Sequence, residues 1–109
     1  VKPLKPVTLD DVRAAARRIK PHALRTPLLR LPVNDAPAEI WLKLENLQPI
    51  GSFKIRGAGN AMALAPRQLL QRGVYTASAG NMAQGVGWMA RAHGIPWSVV
   101  VPDHAPEAK

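Results

Sequence analysis

The chain has 109 residues, with 15 Lys plus Arg against 7 Asp plus Glu and a formal charge of +8, a length that suffices for one small domain and not for two. Hydrophobic residues at 47% and charged residues at 20% supply a core and exclude a disordered polyelectrolyte, despite 11 prolines. With no cysteine in the sequence, disulfides, thiolate metal sites and a cysteine nucleophile are all excluded.

A pI near 10.9 raises nucleic acid or an acidic membrane surface as partners, and the first 30 residues carry +6 of the total +8. Within them, Thr8-Leu9-Asp10-Asp11 reads as a capping box that opens a helix to about Lys20, stopped by Pro21. Leu9, Val12, Ala16 and Ile19 form its apolar stripe, and Arg13 and Arg17 lie on another face. An acidic start and a basic end suit the helix's own dipole, while the same basic face could also lie on nucleic acid or a membrane. Nucleic-acid modules usually join such charge to stacking aromatics, and here the one Phe, one Tyr and three Trp stand away from the arginines.

A proline-punctuated connector, His22 to Pro37, includes the short apolar run Leu28 to Leu31. Glu39 to Leu44 reads as a strand with Ile40, Leu42 and Leu44 on one face, and residues 45–51 read as a loop. Ser52 is expected to cap a helix to about Ala65, and Pro66 to Arg72 to form a short helix or turn. Gly73 to Ala77 is the next strand; it runs through the turn Ser78-Ala79-Gly80 into a helix from Asn81 to His93 that Gly94 closes. Trp97 to Val101 is nearly continuous in apolar residues, as a buried parallel strand would be. Strand, helix, strand, helix, strand is the order of an α/β fold, a parallel sheet with flanking helices.

The longest uncharged stretch, residues 73–90, holds Asn81, Gln84 and four glycines and is not a membrane helix. No apolar run follows the two lysines of residues 1–6, so no secretory signal is expected and the cytoplasm is the default location.

Ligands of open α/β sheets gather where loops feed helix N-termini. Two such places are Gly51-Ser52-Phe53-Lys54 and Ser78-Ala79-Gly80-Asn81. Lys54 falls in the first turn of its helix, where the dipole disfavours a cation, and its neighbours Phe53 and Ile55 are expected to desolvate it. Both effects favour the neutral amine of a Schiff-base lysine, against the plainer alternative of a solvated lysine that follows a loop. Gly85 and Gly87 each cost the second helix about 1 kcal/mol relative to Ala, so something is expected to approach that backbone closely. Gly80 to Gly85 has phosphate-loop spacing, but Val86 and Gly87 stand where Lys and Ser/Thr belong. Gly57-Ala58-Gly59 lacks the third glycine of a dinucleotide fingerprint. His22, His93 and His104 are too scattered for a metal site, and neither serine occupies a nucleophile elbow.

Taken together and in order, Arg25-Thr26-Pro27-Leu28, Trp41-Leu42-Lys43-Leu44-Glu45, Gly51-Ser52-Phe53-Lys54-Ile55-Arg56-Gly57-Ala58, Ser78-Ala79-Gly80-Asn81-Met82-Ala83-Gln84-Gly85 and Val99-Val100-Val101-Pro102, with Pro106 and Lys109, form one pattern. It resembles the fold-type II (tryptophan synthase β-like) pyridoxal-phosphate enzymes and, within them, the threonine/serine dehydratases. The resemblance implies that Lys54 forms the Schiff base with pyridoxal 5'-phosphate, Phe53 packs against the pyridine ring and Asn81 hydrogen-bonds its 3′ oxygen. It further implies that Ser78 and the backbone N–H groups from Gly80 to Met82 receive the substrate carboxylate, with no metal involved. Related sulfhydrylases and threonine synthases carry Asp after the lysine, whereas Ile55 followed by Arg56-Gly57-Ala58 is dehydratase-like.

Two positions depart from near relatives. Similar serine racemases have a second serine, their acid/base opposite the lysine, where this chain has Ala79; Met82 replaces a histidine common in the dehydratase motif. The implied activity is β-elimination from threonine or serine to a 2-oxo acid and ammonia, with a serine racemase or another ammonia-lyase as the alternative. The rival from a different class is a basic nucleic-acid module using Arg13, Arg17 and Arg18. Members of the family are much longer, so the chain reads as an N-terminal portion that is inactive alone and homo-oligomeric when full length. Residues 1–48 then form a helix, connector and first strand, and residues 49–109 part of the cofactor domain. The expected partner is a small amino acid, with no specific nucleic acid and no membrane.

Overall fold

The structure is a computed structural model and describes residues 3–105, so Pro106 and Lys109 lie outside the described residues. In chain order it comprises α1 (Leu9–Ile19), β1 (Leu28–Leu31), β2 (Ile40–Lys43), a 3-10 turn at Glu45–Leu47, α2 (Lys54–Leu64), α3 (Arg67–Leu70), β3 (Val74–Ala77), α4 (Asn81–His93) and β4 (Trp97–Val100).

The capping box at the start of α1 forms as read: the Asp11 N–H donates to Thr8 Oγ1 at 3.2 Å, and the Thr8 N–H donates to Asp11 Oδ2 at 2.9 Å. The Thr8 backbone bond, with help from its hydroxyl, holds the Asp11 carboxyl below the usual carboxylate range. Thr8→Ala removes both side-chain contacts and is expected to lower stability by about 1 kcal/mol, seen as a lower thermal unfolding midpoint.

The apolar stripe proposed for α1 is corrected. Leu9 and Val12 are exposed and only Ile19 is buried. The helix docks through its last turns, where Arg18 Nε donates to Asn60 Oδ1 of α2 at 2.7 Å. Ala15, Arg18 and Ile19 therefore face inward, a stripe rotated from the one that hydropathy selects.

Leu28 to Leu31, read as connector, is a strand. It pairs antiparallel with β2 from Leu28↔Lys43 to Leu31↔Ile40. The run is short and leucine-rich between Pro27 and Pro32, so its strand character comes from the partner that satisfies its backbone rather than from local propensity. A second correction follows: β2 stays in this hairpin sheet and does not extend the parallel one. Among the described residues the parallel sheet is β3 with β4, in register from Val74↔Trp97 to Ala77↔Val100, with α4 as the crossover. Accordingly β4 is not buried as its apolar run suggested; Val99 is half-buried and its neighbours are exposed.

The core lies between α2 and α4. Ile55, Ala58 and Met62 of α2 meet Met89 and Ala90 of α4, with Ile55 and Met89 fully buried. Close backbone approach explains the glycines of α4: a Cβ placed on Gly87 would lie 3.0 Å from the Trp97 ring, and one on Gly85 would meet α2 itself. The helix ends at Gly94, whose φ of +64° is the left-handed cap that glycine adopts without strain.

Candidate active site at two helix starts

The loop before α2 turns at Gly51 (φ +66°), whose N–H donates to the Gln48 carbonyl at 2.7 Å. Ser52 is buried, and its Oγ accepts the Lys54 N–H at 3.4 Å, but the N-cap position falls to Phe53, one residue later than expected. Lys54 is therefore the first residue of α2, where helix N–H groups lack intrahelical partners. Ile55 turns into the core while Phe53 remains 58% exposed. The two apolar neighbours thus do not enclose the lysine as anticipated. Lys54 is half-buried, with Nζ 5.2 Å from the Phe53 ring centroid, within cation–π reach.

A polar cluster pins this loop from behind. Arg56 Nε and Nη2 donate to the two Glu45 carboxylate oxygens, each at 2.8 Å, and Arg56 Nη2 also reaches the Leu24 carbonyl at 2.9 Å. Thr26 Oγ1 donates to Glu45, and Lys43 Nζ donates to the Thr26 carbonyl. Gln48 bonds both backbone groups of Leu24 at 2.9 Å and donates to Glu45 at 3.3 Å. Thr26 and Gln48 are buried, so the fork of Arg56 on Glu45 is shielded from water on that side. The bonds from Arg56, with lesser ones from Thr26 and Gln48, hold the Glu45 carboxyl down to about 2. The same carboxylate raises Arg56. In sequence, Thr26, Glu45 and Arg56 stand within the family pattern with no task of their own and Gln48 stands outside it; opposite charges bracketing the loop are the signal that sequence offers for this cluster.

The second loop leaves β3 at Ser78, whose N–H continues the parallel pairing by donating to the Val100 carbonyl at 3.0 Å. Gly80 N–H donates to Ser78 Oγ at 3.2 Å. Of the N–H groups expected to receive a carboxylate, that of Gly80 is therefore already engaged in shaping the loop. Asn81 and Met82 open α4 and, like Ser78 and Gly80, are half-buried. The space beside Gly80 is open, with nothing within 4 Å of a Cβ placed there. Contact between Gly85 and the Lys54 carbonyl brings the start of α2 against α4 one turn beyond Asn81. Lys54 and the Ser78–Met82 loop thus belong to one helix pair.

An open cleft of about 660 Å³ between α4 and β4 is lined by Ser78, Ala79, Gln84, Trp88, Arg91 and Trp97 among others, but not by Lys54, Phe53 or Asn81. The candidate site is defined by the helix starts, not by this cleft. A primary amine in a first helical turn, an aromatic face beside it and a second helix start suit a group that carries an aldehyde, a flat ring and anionic oxygens. That is the donor chemistry pyridoxal phosphate requires. Among the described residues, no helix is long and apolar enough to cross a membrane, and no cluster of three or more His, Cys, Asp or Glu is placed to hold a metal.

A family model described as "Pyridoxal-phosphate dependent enzyme" matches residues 19–109. L-threonine ammonia-lyase from Thermotoga maritima is 47% identical over 105 residues, which cover 94% of this chain and 26% of that protein. A catabolic L-threonine dehydratase from Staphylococcus aureus is 42% identical over 106 residues, covering 94% of this chain and 31% of the relative. Among solved structures, serine racemase from Dictyostelium discoideum superposes with a TM-score of 0.84 at 39% identity, over 94% of this chain and 34% of that one. The chain spans about a quarter to a third of the length of these proteins.

Proposed function

Because the chain belongs to the pyridoxal-phosphate-dependent enzymes and has the fold of the type II group, we propose that it serves the β-elimination of threonine or serine to a 2-oxo acid and ammonia. The observation that carries this reading is Lys54 as the first residue of α2, seated against the helix that the Ser78–Met82 loop opens. Lys54 would hold the cofactor, Phe53 would face its ring and Asn81 would donate to its 3′ oxygen. When bound, the cofactor supplies an electron sink for the charge left as Cα loses its proton.

The remaining work falls to the chain's own groups. The Ser78 hydroxyl proton and the N–H groups at the start of α4 receive the substrate carboxylate, with Gly80 N–H fixing the Ser78 oxygen from the other side. Met82 has no side-chain donor, so its contribution to the carboxylate is limited to its backbone. With the substrate's amine in its place on the cofactor, the Lys54 amine would stand free to remove the Cα proton as general base. The β-hydroxyl would leave as water with the proton that Lys54 returns, and the unsaturated amine product would take up water to give the 2-oxo acid and ammonia.

The racemase likeness makes inversion at Cα the second reading. Ala79 weakens it, because a methyl group between Ser78 and Gly80 has no proton to deliver opposite Lys54. The nucleic-acid reading is weakened by the basic face itself: Arg13 pairs with Asp10 at 3.3 Å and Arg18 is drawn into the α1–α2 contact.

The test supplies the intact protein with pyridoxal phosphate and, separately, L-threonine and L-serine. Equimolar 2-oxo acid and ammonia are the expected products. D-serine without oxo acid would establish racemisation instead, and absence of both cofactor uptake and turnover would overturn the proposal.

A further inference from the structure

We propose that Gly85 is a positioning residue for Lys54, its missing side chain setting how closely the lysine's backbone seats on α4. This inference rests on Lys54 being the cofactor-bearing lysine. A Cβ placed on Gly85 would lie 3.2 Å from the Lys54 carbonyl oxygen, 3.3 Å from its carbonyl carbon and 3.4 Å from Ala58 Cβ.

The other helical glycines do not share this property. Gly57 has nothing within 4 Å; Gly59 faces the ends of the Met89 and Ile19 side chains at 3.4 Å and beyond; Gly87 faces the half-exposed ring of Trp97, a side chain and not main chain. At Gly85 the obstacle is main chain, and a main-chain carbonyl yields only if its whole residue moves. Lys54 has little freedom to do so, because Ile55 is fully buried in the core and Arg56 is forked onto Glu45.

A methyl group at residue 85 must therefore either turn the Lys54 peptide or part the two helix starts by a few tenths of an ångström. Either movement shifts the Lys54 amine relative to the Ser78–Met82 loop, which travels with α4. Glycine in this helix interior lowers helix propensity, a local cost consistent with spacing at the site being what the position serves.

The test uses the intact protein loaded with pyridoxal phosphate, first confirming by borohydride trapping that the cofactor is attached at Lys54. Failure at that stage rejects the functional reading and with it the positioning role, whereas attachment at Lys54 followed by parental behaviour of Gly85→Ala rejects the positioning role alone. In Gly85→Ala, kcat is expected to fall by about threefold to tenfold with KM little changed. The visible absorbance and circular dichroism of the lysine-bound cofactor should be displaced from those of the parent.

The double variant Gly85→Ala/Ala58→Gly removes the crowding at Ala58 and conserves core volume, but it leaves the methyl group against the Lys54 carbonyl. If Gly85 positions Lys54, the displaced spectrum and lowered kcat persist in the folded double variant. Recovery of spectrum and kcat together with stability would show a packing role only and overturn the inference. So would parental behaviour of the folded single variant, or failure of both variants to fold.

Discussion

Lys54→Ala is expected to abolish covalent attachment of pyridoxal phosphate and to reduce turnover by at least about 10⁴-fold, since one side chain is assigned both the attachment and the proton transfer at Cα. The fold should survive. Lys54 is half-buried at the first position of α2, and the core residues of that helix are Ile55, Ala58 and Met62. Alanine also removes a cation from the positive end of the helix dipole, which favours the folded state. An unchanged far-ultraviolet circular dichroism spectrum, together with loss of the borohydride-trapped adduct from the peptide containing residue 54, is the predicted pair of results.

Lys54→Arg sharpens the test. It keeps the positive charge near the Phe53 ring but supplies a guanidinium that stays protonated and does not form the required linkage. Equal loss in both variants places the effect in the amine rather than in its charge. An undiminished adduct in either would remove Lys54 from the mechanism.

The parts of this fold that were legible before the structure are those with local causes. Thr8 and Asp11 announce the start of α1 within four residues, and Gly94 announces the end of α4 because its left-handed φ is costly for other residues. The close approach at Gly85 and Gly87 was legible for the same kind of reason, since glycine in a helix interior needs an external explanation. What the approaching group was could not be read, because Lys54 and Trp97 arrive from other elements. Leu28 to Leu31 was missed as a strand because its hydrogen-bonding partner lies beyond a proline-containing loop. The facing stripe of α1 was misplaced because its docking surface is polar as well as apolar: Arg18, a residue that hydropathy assigns to solvent, finds Asn60. At the candidate site, Lys54 and the Ser78–Met82 loop stood out through helix-end chemistry and the family pattern. The Glu45, Arg56, Thr26 and Gln48 cluster did not, for its bonds join three separated segments with no shared periodicity.

That cluster should dominate the acid stability of the N-terminal half of the site. Glu45 is held at about 2 in the folded chain, chiefly by Arg56 and then by Thr26 and Gln48, against 4.5 for the ordinary group. A carboxyl lowered by folding contributes stability that is fully present above its unfolded value and is lost as pH falls through the folded one. Over the window from about pH 4.5 to about pH 2, the unfolded chain takes up this proton first, so the equilibrium tilts toward unfolding. At pH 3 the loss amounts to about 2 kcal/mol relative to neutral pH. Arg56 keeps its charge throughout, so acid breaks the fork from the Glu45 side alone. Glu45→Gln should cost a similar amount at pH 7, because a neutral amide accepts from Arg56 more weakly than a carboxylate does. Denaturant unfolding of the intact protein and of this variant at pH 7, 5, 4 and 3 provides the measurement. The two stability curves are expected to lie apart at neutral pH and to converge below about pH 4, as the unfolded parent takes up a proton that the variant has no carboxylate to bind. Parallel curves down to pH 3 would mean that Glu45 titrates alike in the folded and unfolded chain, and the loop ahead of Lys54 would then owe its shape to Gln48 and the backbone of Leu24 rather than to the fork.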